Sequence, residues 1–172
     1  MSVFEETQRF RHPLILMALG VPLLFSLWAV IRQVLLGKPV GSHPASDLML
    51  VGTFLLLLAI GWLFWVMRLD TRVDESGIHY RFYPFHRQWW HLSWSACRWC
   101  WVRTYRPIGE YGGWGLRLAG RWGRAYNVSG SWGLQVVTED DRRILWGTQR
   151  PDALRQVLKD LGRENPPPED GD

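Results

Sequence analysis

The residues best able to do chemistry are Cys97 and Cys100, which stand in a Cys-x-x-Cys arrangement. Thiols at this spacing can bind a metal ion or cycle through a disulfide. His79, His86 and His91 lie upstream, but their spacing matches no standard zinc pattern. In an extended segment, residues i and i+3 also point to opposite faces. We therefore expect no metal site and no cofactor, and we interpret the cysteines as reduced core residues.

Common catalytic motifs are missing from the sequence, including Gly-x-Ser-x-Gly, His-Glu-x-x-His, the phosphate-binding loop and Gly-x-Gly-x-x-Gly. The run from Gly112 to Gly115 is glycine-rich and could direct backbone N–H groups at an anion. It lacks the Gly-Lys-Ser/Thr ending of a nucleotide loop, so a tight turn is the preferred interpretation. We predict that the chain is not an enzyme. The alternative is a metal- or thiol-dependent membrane enzyme that uses His86, His91, Cys97 and Cys100.

Basic and aromatic residues alternate densely between positions 87 and 106. The run consists of Arg87, Trp89, Trp90, Trp94, Arg98, Trp99, Trp101, Arg103 and Arg106. Tryptophan tolerates the lipid headgroup region, and arginine pairs with lipid phosphate. One interpretation is that part of this surface lies on an anionic membrane. The alternative is that alternate tryptophans fill a small β core while the arginines are solvated.

Two apolar segments precede this run and predict an integral membrane protein. Pro13 to Ile31 and Leu48 to Met67 contain no charged residue. At about 1.5 Å per residue, each helix would span roughly 28–30 Å, the thickness of a bilayer's hydrocarbon core. We predict a two-helix transmembrane hairpin over residues 13–67, with spans at about 13–36 and 48–67. A cleaved signal peptide and a pair of buried core helices are the alternatives.

The distribution of Lys and Arg predicts the orientation of this hairpin. The connection over residues 32–47 contains two glycines and two prolines, which is typical of a turn between antiparallel helices. It carries two basic residues, whereas the outer flanks carry Arg9, Arg11, Arg68, Arg72 and Arg81. The positive-inside rule then predicts a multi-pass protein of the inner (plasma) membrane with both termini in the cytoplasm. Residues 1–12 form the cytoplasmic N-terminus in this interpretation.

Residues 68–162 are predicted to form a basic domain of about seven strands and one helix. Short alternating or aromatic-rich runs are separated by Gly, Pro, Asp and Ser. The predicted strand segments are Leu69–Asp74, Ile78–Tyr83, Gln88–Trp94, Trp99–Tyr105, Trp114–Leu118, Ala125–Ser129, Leu134–Thr138 and Arg143–Gly147.

The period changes near the C-terminus. Leu154, Val157, Leu158 and Leu161 recur at the spacing of one helix face, after Pro151. We expect this amphipathic helix to close an apolar opening of the sheet. Residues 163–172 contain three consecutive prolines and four acidic residues and are predicted to be a disordered tail.

Short sequences in this domain resemble a known family. They are Tyr105-x-Pro107, Gly112-Gly113-Trp114-Gly115-Leu116-Arg117, Ala125-Tyr126-Asn127-Val128-Ser129-Gly130 and Gly147-Thr148-Gln149-x-Pro151. With the two spans, they resemble bacterial membrane proteins that carry two transmembrane helices and a pleckstrin-homology-like (PH-like) domain. The resemblance covers nearly the whole chain up to Leu161. It implies an α+β fold in which a transmembrane hairpin precedes a PH-like seven-stranded β-barrel or sandwich with a C-terminal capping helix. It implies no established activity.

The function that we predict is a membrane-anchored PH-like module for interaction at the cytoplasmic face. Its partner is a membrane or cytoplasmic protein, or anionic lipid headgroups of the bilayer that anchors it. The candidate binding residues are Arg106, Pro107, Gly112, Gly113, Trp114, Arg117, Tyr126 and Asn127. The acidic first hairpin turn, Asp74 to Gly77, disfavours specific phosphoinositide binding, and no nucleic acid is expected. An accessory subunit of a larger membrane complex is a further alternative.

Overall fold

The computed structural model describes residues 3–11, 13–117 and 122–168, which divide into two compact units. One unit runs from Phe10 to Val66, and the other combines the N-terminal residues up to Arg9 with the chain from Met67 onward. The mixed α+β class and the two apolar N-terminal helices are confirmed. The unit boundary differs from the predicted one, because the N-terminal residues belong to the β unit.

The helical unit consists of α1 (Pro13–Val30) and α2 (Asp47–Val66), with a π-helical turn over Ile31–Leu35 that extends α1. Both helices are long and apolar enough to cross a membrane. Apart from Asp47 at the start of α2, both helices are uncharged and apolar around their whole circumference, without a polar face.

The side chain of Gln33 forms hydrogen bonds within the connection between these helices. Gln33 Nε2 donates hydrogen bonds to the carbonyl oxygen of Ala45 at 2.7 Å and to Asp47 Oδ1 at 2.8 Å. Gln33 Oε1 accepts a hydrogen bond from the N–H of Val40 at 3.3 Å. The turn predicted from glycine and proline is therefore fixed by an amide that uses both its donor and its acceptor.

The first sheet contains four antiparallel strands in the order β1-β2-β3-β4. They are β1 (Phe4–Arg9), β2 (Arg68–Asp74), β3 (Gly77–Tyr83) and β4 (Trp90–Ser93). The predicted first hairpin is β2–β3. The third predicted strand is shorter than expected, because Trp94 begins a 3₁₀ turn. Strand β1 was not predicted, since only Phe4 is apolar among its six residues.

The second sheet contains five strands in the order β5-β8-β9-β7-β6. They are β5 (Cys97–Thr104), β6 (Gly115–Arg117), β7 (Arg124–Asn127), β8 (Trp132–Thr138) and β9 (Arg143–Thr148), with helices α3 (Pro107–Tyr111) and α4 (Pro151–Asp160). Strands β7 and β9 are parallel, whereas the other pairs are antiparallel. Across the described ranges there are nine strands in two sheets and no closed barrel, so the predicted total of about seven strands was too low. Each of the eight predicted segments corresponds to one of β2–β9, and β1 is additional. The predicted strand end at Leu118 lies outside the described residues.

Aromatic rings join the two sheets in the core. The ring of Tyr80 on β3 lies 4.9 Å from Tyr126 on β7 and 5.0 Å from Trp146 on β9. Such offset and tilted ring pairs are favourable beyond the apolar area that they bury. Helix α4 buries Leu154 and Leu158 and lies against β5 and β1. The amphipathic helix expected from the sequence is therefore present and covers part of the core.

Strand β1 is bonded to the second sheet as well as to β2. Glu6 Oε2 accepts a hydrogen bond from Thr148 Oγ1 at 2.7 Å, and its Oε1 accepts one from the N–H of Gln149 at 2.8 Å. The buried Gln8 donates from Nε2 to the carbonyl oxygen of Gly147 at 2.6 Å. The N-terminal residues are thus an integral part of the β unit.

The prediction of a disordered segment from Arg163 onward is wrong for its first residues. The N–H of Asn165 donates to the carbonyl oxygen of Cys100 at 2.7 Å, and the N–H of Cys100 donates to that of Asn165 at 2.8 Å. Because β5 lies at the edge of its sheet, its free backbone groups can accept this added bridge. Glu169 to Asp172 lie outside the described residues.

We expect Phe4→Ala to lower the free energy of unfolding by about 3–5 kcal/mol, because Phe4 is buried. The adjacent and exposed Val3 supplies the control, since Val3→Ala removes little buried area. Chemical denaturation of the detergent-solubilised chain, followed by circular dichroism, measures both. Equal stability of the two variants would contradict the assignment of β1 to the core.

Candidate functional site

The predicted binding loop begins with helix α3. Pro107 occupies its first turn, where its missing N–H costs no hydrogen bond. Glu110 accepts a hydrogen bond from the N–H of Arg106 at 2.8 Å and forms a 2.6 Å ion pair with Arg103. Although burial raises the pKa of Glu110, these donors outweigh burial and lower it. The carboxylate therefore fixes the start of the helix to β5.

The glycines of this loop form a helix end. Gly112 and Gly113 have φ values of 70° and 121°, which an L side chain rarely adopts. Their N–H groups donate to the carbonyl oxygens of Ile108 and Pro107, at 3.0 and 2.9 Å. The N–H of Gly115 donates to Asn127 Oδ1 at 2.8 Å. All three N–H groups therefore already donate hydrogen bonds within the protein. This favours the interpretation of the loop as a tight turn rather than as an anion-binding loop.

The predicted binding residues separate into an outer and an inner set. Arg106 and Trp114 are exposed, and Arg117 Nη2 donates to the carbonyl oxygen of Trp114 at 3.1 Å. Tyr126 and Asn127 are buried. The structure thus joins Arg106, Pro107, Gly112, Gly113, Trp114 and Arg117 along one continuous segment, which Asn127 supports from the interior.

A polar network lies beneath α3. Arg103 donates to the buried Gln135 from Nε at 3.2 Å and from Nη2 at 3.1 Å. Tyr111 lies in a buried cluster with Tyr105, Ala125 and Leu145. Burial raises the pKa of Tyr105 to about 12 and also raises the pKa of Tyr111. Both phenols are therefore neutral at physiological pH and serve as structural groups here.

The two cysteines lie on β5, where they are free thiols. Burial raises the pKa of Cys97 to about 11 and raises that of the more deeply buried Cys100 further. A protonated thiol is neither a nucleophile nor a metal ligand. Among residues 3–11, 13–117 and 122–168, no group of three His, Cys, Asp or Glu side chains could hold a metal ion.

His79, His86 and His91 lie on the first sheet and the loop beside it, and the three rings do not converge on one point. His79 and His91 stack with ring centroids 4.5 Å apart, and His86 stacks on Trp90 at 4.8 Å. Burial lowers the pKa of His86, which favours the neutral ring. The histidines therefore pack against aromatic partners.

A Ser-His-Asp constellation that the sequence analysis missed lies in the β2–β3 hairpin. Ser76 Oγ donates to Asp74 Oδ1 at 2.6 Å and lies 3.0 Å from His79 Nε2. The same ring nitrogen lies 3.4 Å from Asp74 Oδ1. A catalytic relay needs the serine and the carboxylate on different ring nitrogens. The hydrogen bond from Ser76 instead lowers the pKa of Asp74 and stabilises the turn.

A polar groove of about 800 Å³ crosses the outer face of the first sheet. We call it the arginine groove; its lining includes Arg9, Arg68, Arg72, Arg81, Asp70 and Trp89. Arg81 donates to the largely buried Asp70 Oδ2 from Nε at 3.0 Å and from Nη2 at 2.7 Å.

Asp70 has two further neighbours in the arginine groove. Thr7 Oγ1 donates to Asp70 Oδ1 at 2.9 Å. Arg68 Nε lies 3.2 Å from Asp70 Oδ2, close enough for an ion pair although the angle does not give a hydrogen bond. One carboxylate oxygen, Oδ2, thus contacts both guanidinium groups and orders them, since hydrogen bonds between ionised partners are strong.

Residues 84–90, which we call the aromatic loop, extend from the same end of the first sheet. The register pairs Arg9 with Arg68 and Arg68 with Tyr83, immediately before this loop. Phe85, Trp89 and Trp90 are 55, 47 and 47% exposed. Arg81 lies over the ring of Trp89 at 4.8 Å. Exposed aromatic and basic side chains are therefore concentrated at this end of the first sheet.

No protein-family model, no curated protein and no solved structure matches the chain. The function is therefore argued from the site alone.

Because the pKa of Cys97 is raised to about 11, we expect the native chain to alkylate about 100-fold more slowly at pH 8 than an ordinary cysteine. The rate should rise as the pH approaches 11, since only the thiolate reacts. Iodoacetamide time courses read by mass spectrometry measure this, with Cys97→Ser and Cys100→Ser separating the two sites. Rapid alkylation at pH 7 would favour the thiol-enzyme alternative instead.

Proposed function

We propose that the chain is a membrane-anchored interaction module whose aromatic loop and neighbouring arginines lie on an anionic bilayer surface. In this proposal it is an inner-membrane protein with both termini in the cytoplasm and no catalytic activity. The observation that carries the proposal is the concentration of exposed Phe85, Trp89 and Trp90 beside basic residues at one sheet edge.

The path of the chain supports the bilayer as the partner of this edge. Three residues separate the end of β1 at Arg9 from the start of α1 at Pro13. One residue, Met67, separates the end of α2 at Val66 from the start of β2 at Arg68. Both connections to the apolar helices therefore start at the end of the first sheet from which the aromatic loop extends.

The chemistry of the side chains suits a headgroup region. Trp and Phe rings partition to the interface between hydrocarbon and water, where Trp can also use its N–H. The exposed Arg9 and Arg87 can pair with lipid phosphate as forks, whereas Arg81 already donates to Asp70. Each basic residue near an anionic leaflet contributes about 1 kcal/mol of attraction. Shallow insertion of the loop would combine both contributions.

The PH-like assignment is part of the proposal. Two sheets with a C-terminal helix agree with that layout, whereas strand β1 and the parallel β7–β9 pair are additions to it. The first hairpin turn supports the exclusion of a phosphoinositide site there, because Asp74 is acidic and is engaged by Ser76. Recognition in this proposal is of anionic surface charge in general.

A second candidate surface is the predicted loop around α3, which could bind a protein. Ile108 is 71% exposed beside the exposed Trp114 and Arg106. An exposed apolar residue with aromatic and arginine neighbours is typical of protein-binding hot spots. This surface supplies a matched comparison for the aromatic loop.

We expect a nitroxide at Phe85→Cys to lie in the bilayer interface of anionic proteoliposomes. The label is placed in a Cys97→Ser, Cys100→Ser background, so that it reports one site. Power-saturation EPR should show a greater accessibility to oxygen than to an aqueous nickel chelate. The control Ile108→Cys should show the opposite. Aqueous accessibility at both positions would contradict lipid contact by the aromatic loop.

Charge reversal at Arg87 tests the electrostatic part of the proposal. We expect Arg87→Glu to reduce the bilayer-bound population of the Phe85 label by at least about fivefold, in anionic but not in neutral liposomes. Arg106→Glu makes the same charge change on an exposed residue of the α3 loop and should have no effect. The measurement is the ratio of immobilised to mobile components of the EPR spectrum. Equal effects of the two variants would show that only net charge matters.

A further inference from the structure

The outer face of the second sheet carries a row of tryptophans. On β5, Trp99, Trp101 and Arg103 occupy alternate positions, whereas Cys100 and Val102 between them are buried. This alternation is the period of a strand with one face toward the core. The indole rings therefore lie on the side opposite to the core between the sheets.

These rings line a groove of about 550 Å³, which we call the tryptophan groove. Its lining includes Trp99, Trp101, Trp122, Arg143, Pro167 and Pro168. Val137 and Gln135 of β8 pair with the two β5 tryptophans and form part of the floor. Two prolines from the C-terminal segment thus share a groove with three indoles.

The route of the chain into this groove is set by hydrogen bonds. Past α4, the backbone of Asn165 pairs with that of Cys100 in both directions, at 2.7 and 2.8 Å. Asn165 Nδ2 donates to the carbonyl oxygen of Arg98 at 3.2 Å. Glu164 forms longer ion pairs with Arg155 and Lys159, at 3.7 and 3.9 Å. The residue before the first proline is therefore fixed to the edge of the sheet.

Consecutive prolines are suited to such a groove. They adopt an extended polyproline II helix without internal hydrogen bonds, so little conformational entropy is lost on binding. Aromatic-lined grooves bind their rings in several unrelated recognition domains. The groove is also lined by Arg98 and Asp141, which form an ion pair at 3.2 Å, and by Arg143, which supplies the basic charge at the rim. The sequence after Pro168 continues with Glu169 and Asp170. The charge of the rim thus complements acidic residues that follow a proline run.

We propose that the tryptophan groove is a binding site for an acidic, proline-rich peptide of a partner protein. The chain's own Pro167 and Pro168 line this groove in the absence of that partner and compete with its peptide for the indoles. A tethered segment has an effective local concentration on the order of millimolar, so it weakens a competing peptide without abolishing its binding. This site is separate from the aromatic loop, and it stands whether or not that loop contacts lipid.

The test uses the full-length chain in neutral nanodiscs and a fluorescent peptide with the sequence of residues 163–172. A variant with Pro167→Gly and Pro168→Gly opens the groove while keeping the Asn165 bridge. We expect this opened variant to bind the peptide at least about tenfold more tightly than the unaltered chain, as measured by fluorescence anisotropy. A peptide with alanine at the three proline positions should lose this binding.

Substitutions on the opened variant identify the surface. Trp101→Ala should weaken peptide binding by tenfold or more, whereas Trp132→Ala removes an exposed indole outside the groove and should leave it unchanged. Arg143→Glu keeps the indoles and should weaken binding of the acidic peptide but not of a neutral one. Circular dichroism checks that each variant is folded.

Several results would overturn the proposal. These are equal binding of the proline and alanine peptides, equal affinity of the opened and unaltered chains, and equal losses from Trp101→Ala and Trp132→Ala. Failure of Phe85 to contact lipid would leave the proposal intact, because the nanodisc assay uses neutral lipid and a different face.

Discussion

Strand β1 precedes the two apolar helices in the sequence and β2 follows them, yet the two strands pair in continuous register from Phe4–Val73 to Arg9–Arg68. Because of this pairing, the chain leaves the first sheet for the helical segment and returns to it at the same end of the sheet. Bonds from Glu6 and Gln8 to β9 then fix β1 to the second sheet. The entry and exit of the helices, the arginine groove and the aromatic loop all depend on this one antiparallel pair.

The arginine groove depends in turn on Asp70. A carboxylate with little solvent contact is tolerated when its lone pairs are filled, and Thr7 and Arg81 supply three hydrogen bonds to it. Removal of one partner of such a buried pair is costly, because the other charge remains desolvated. Thr7 comes from β1 and Arg81 from β3, so the carboxylate also ties the strands together. The arginines at this edge are therefore held in place, which reduces the entropy lost on meeting a phosphate.

In the second sheet, the edge strand β5 has backbone groups available for pairing. An open edge promotes association with other chains. The bridge between Asn165 and Cys100 covers part of that edge with the chain's own C-terminal segment. On the outer face, α3 covers Leu145 and Ala125 with Tyr111 but leaves the tryptophans of β5 beside the prolines. The two halves of this face thus differ in how completely they are covered.

Much of the fold could be predicted from local sequence. The apolar helices, the β2–β3 and β8–β9 hairpins and α4 were all predicted, because their periodicity and turn residues act over a few positions. The glycines around α3 were also interpreted correctly as a turn. The candidate binding residues remain a prediction, and the sequence did not distinguish the exposed Arg106 and Trp114 from the buried Tyr126 and Asn127.

What the sequence by itself determined is therefore the type and order of most elements, together with their net charge and apolar content. Only the tertiary structure decided that Phe4–Arg9 forms a strand, that β7 pairs in parallel with β9, and which tryptophans are buried. Trp146 lies in the core while Trp89 is exposed in a loop, although the sequence predicts an aromatic strand segment over each of them. The physical reason is that strand pairing and burial are settled by partners distant in the chain, which local periodicity does not encode.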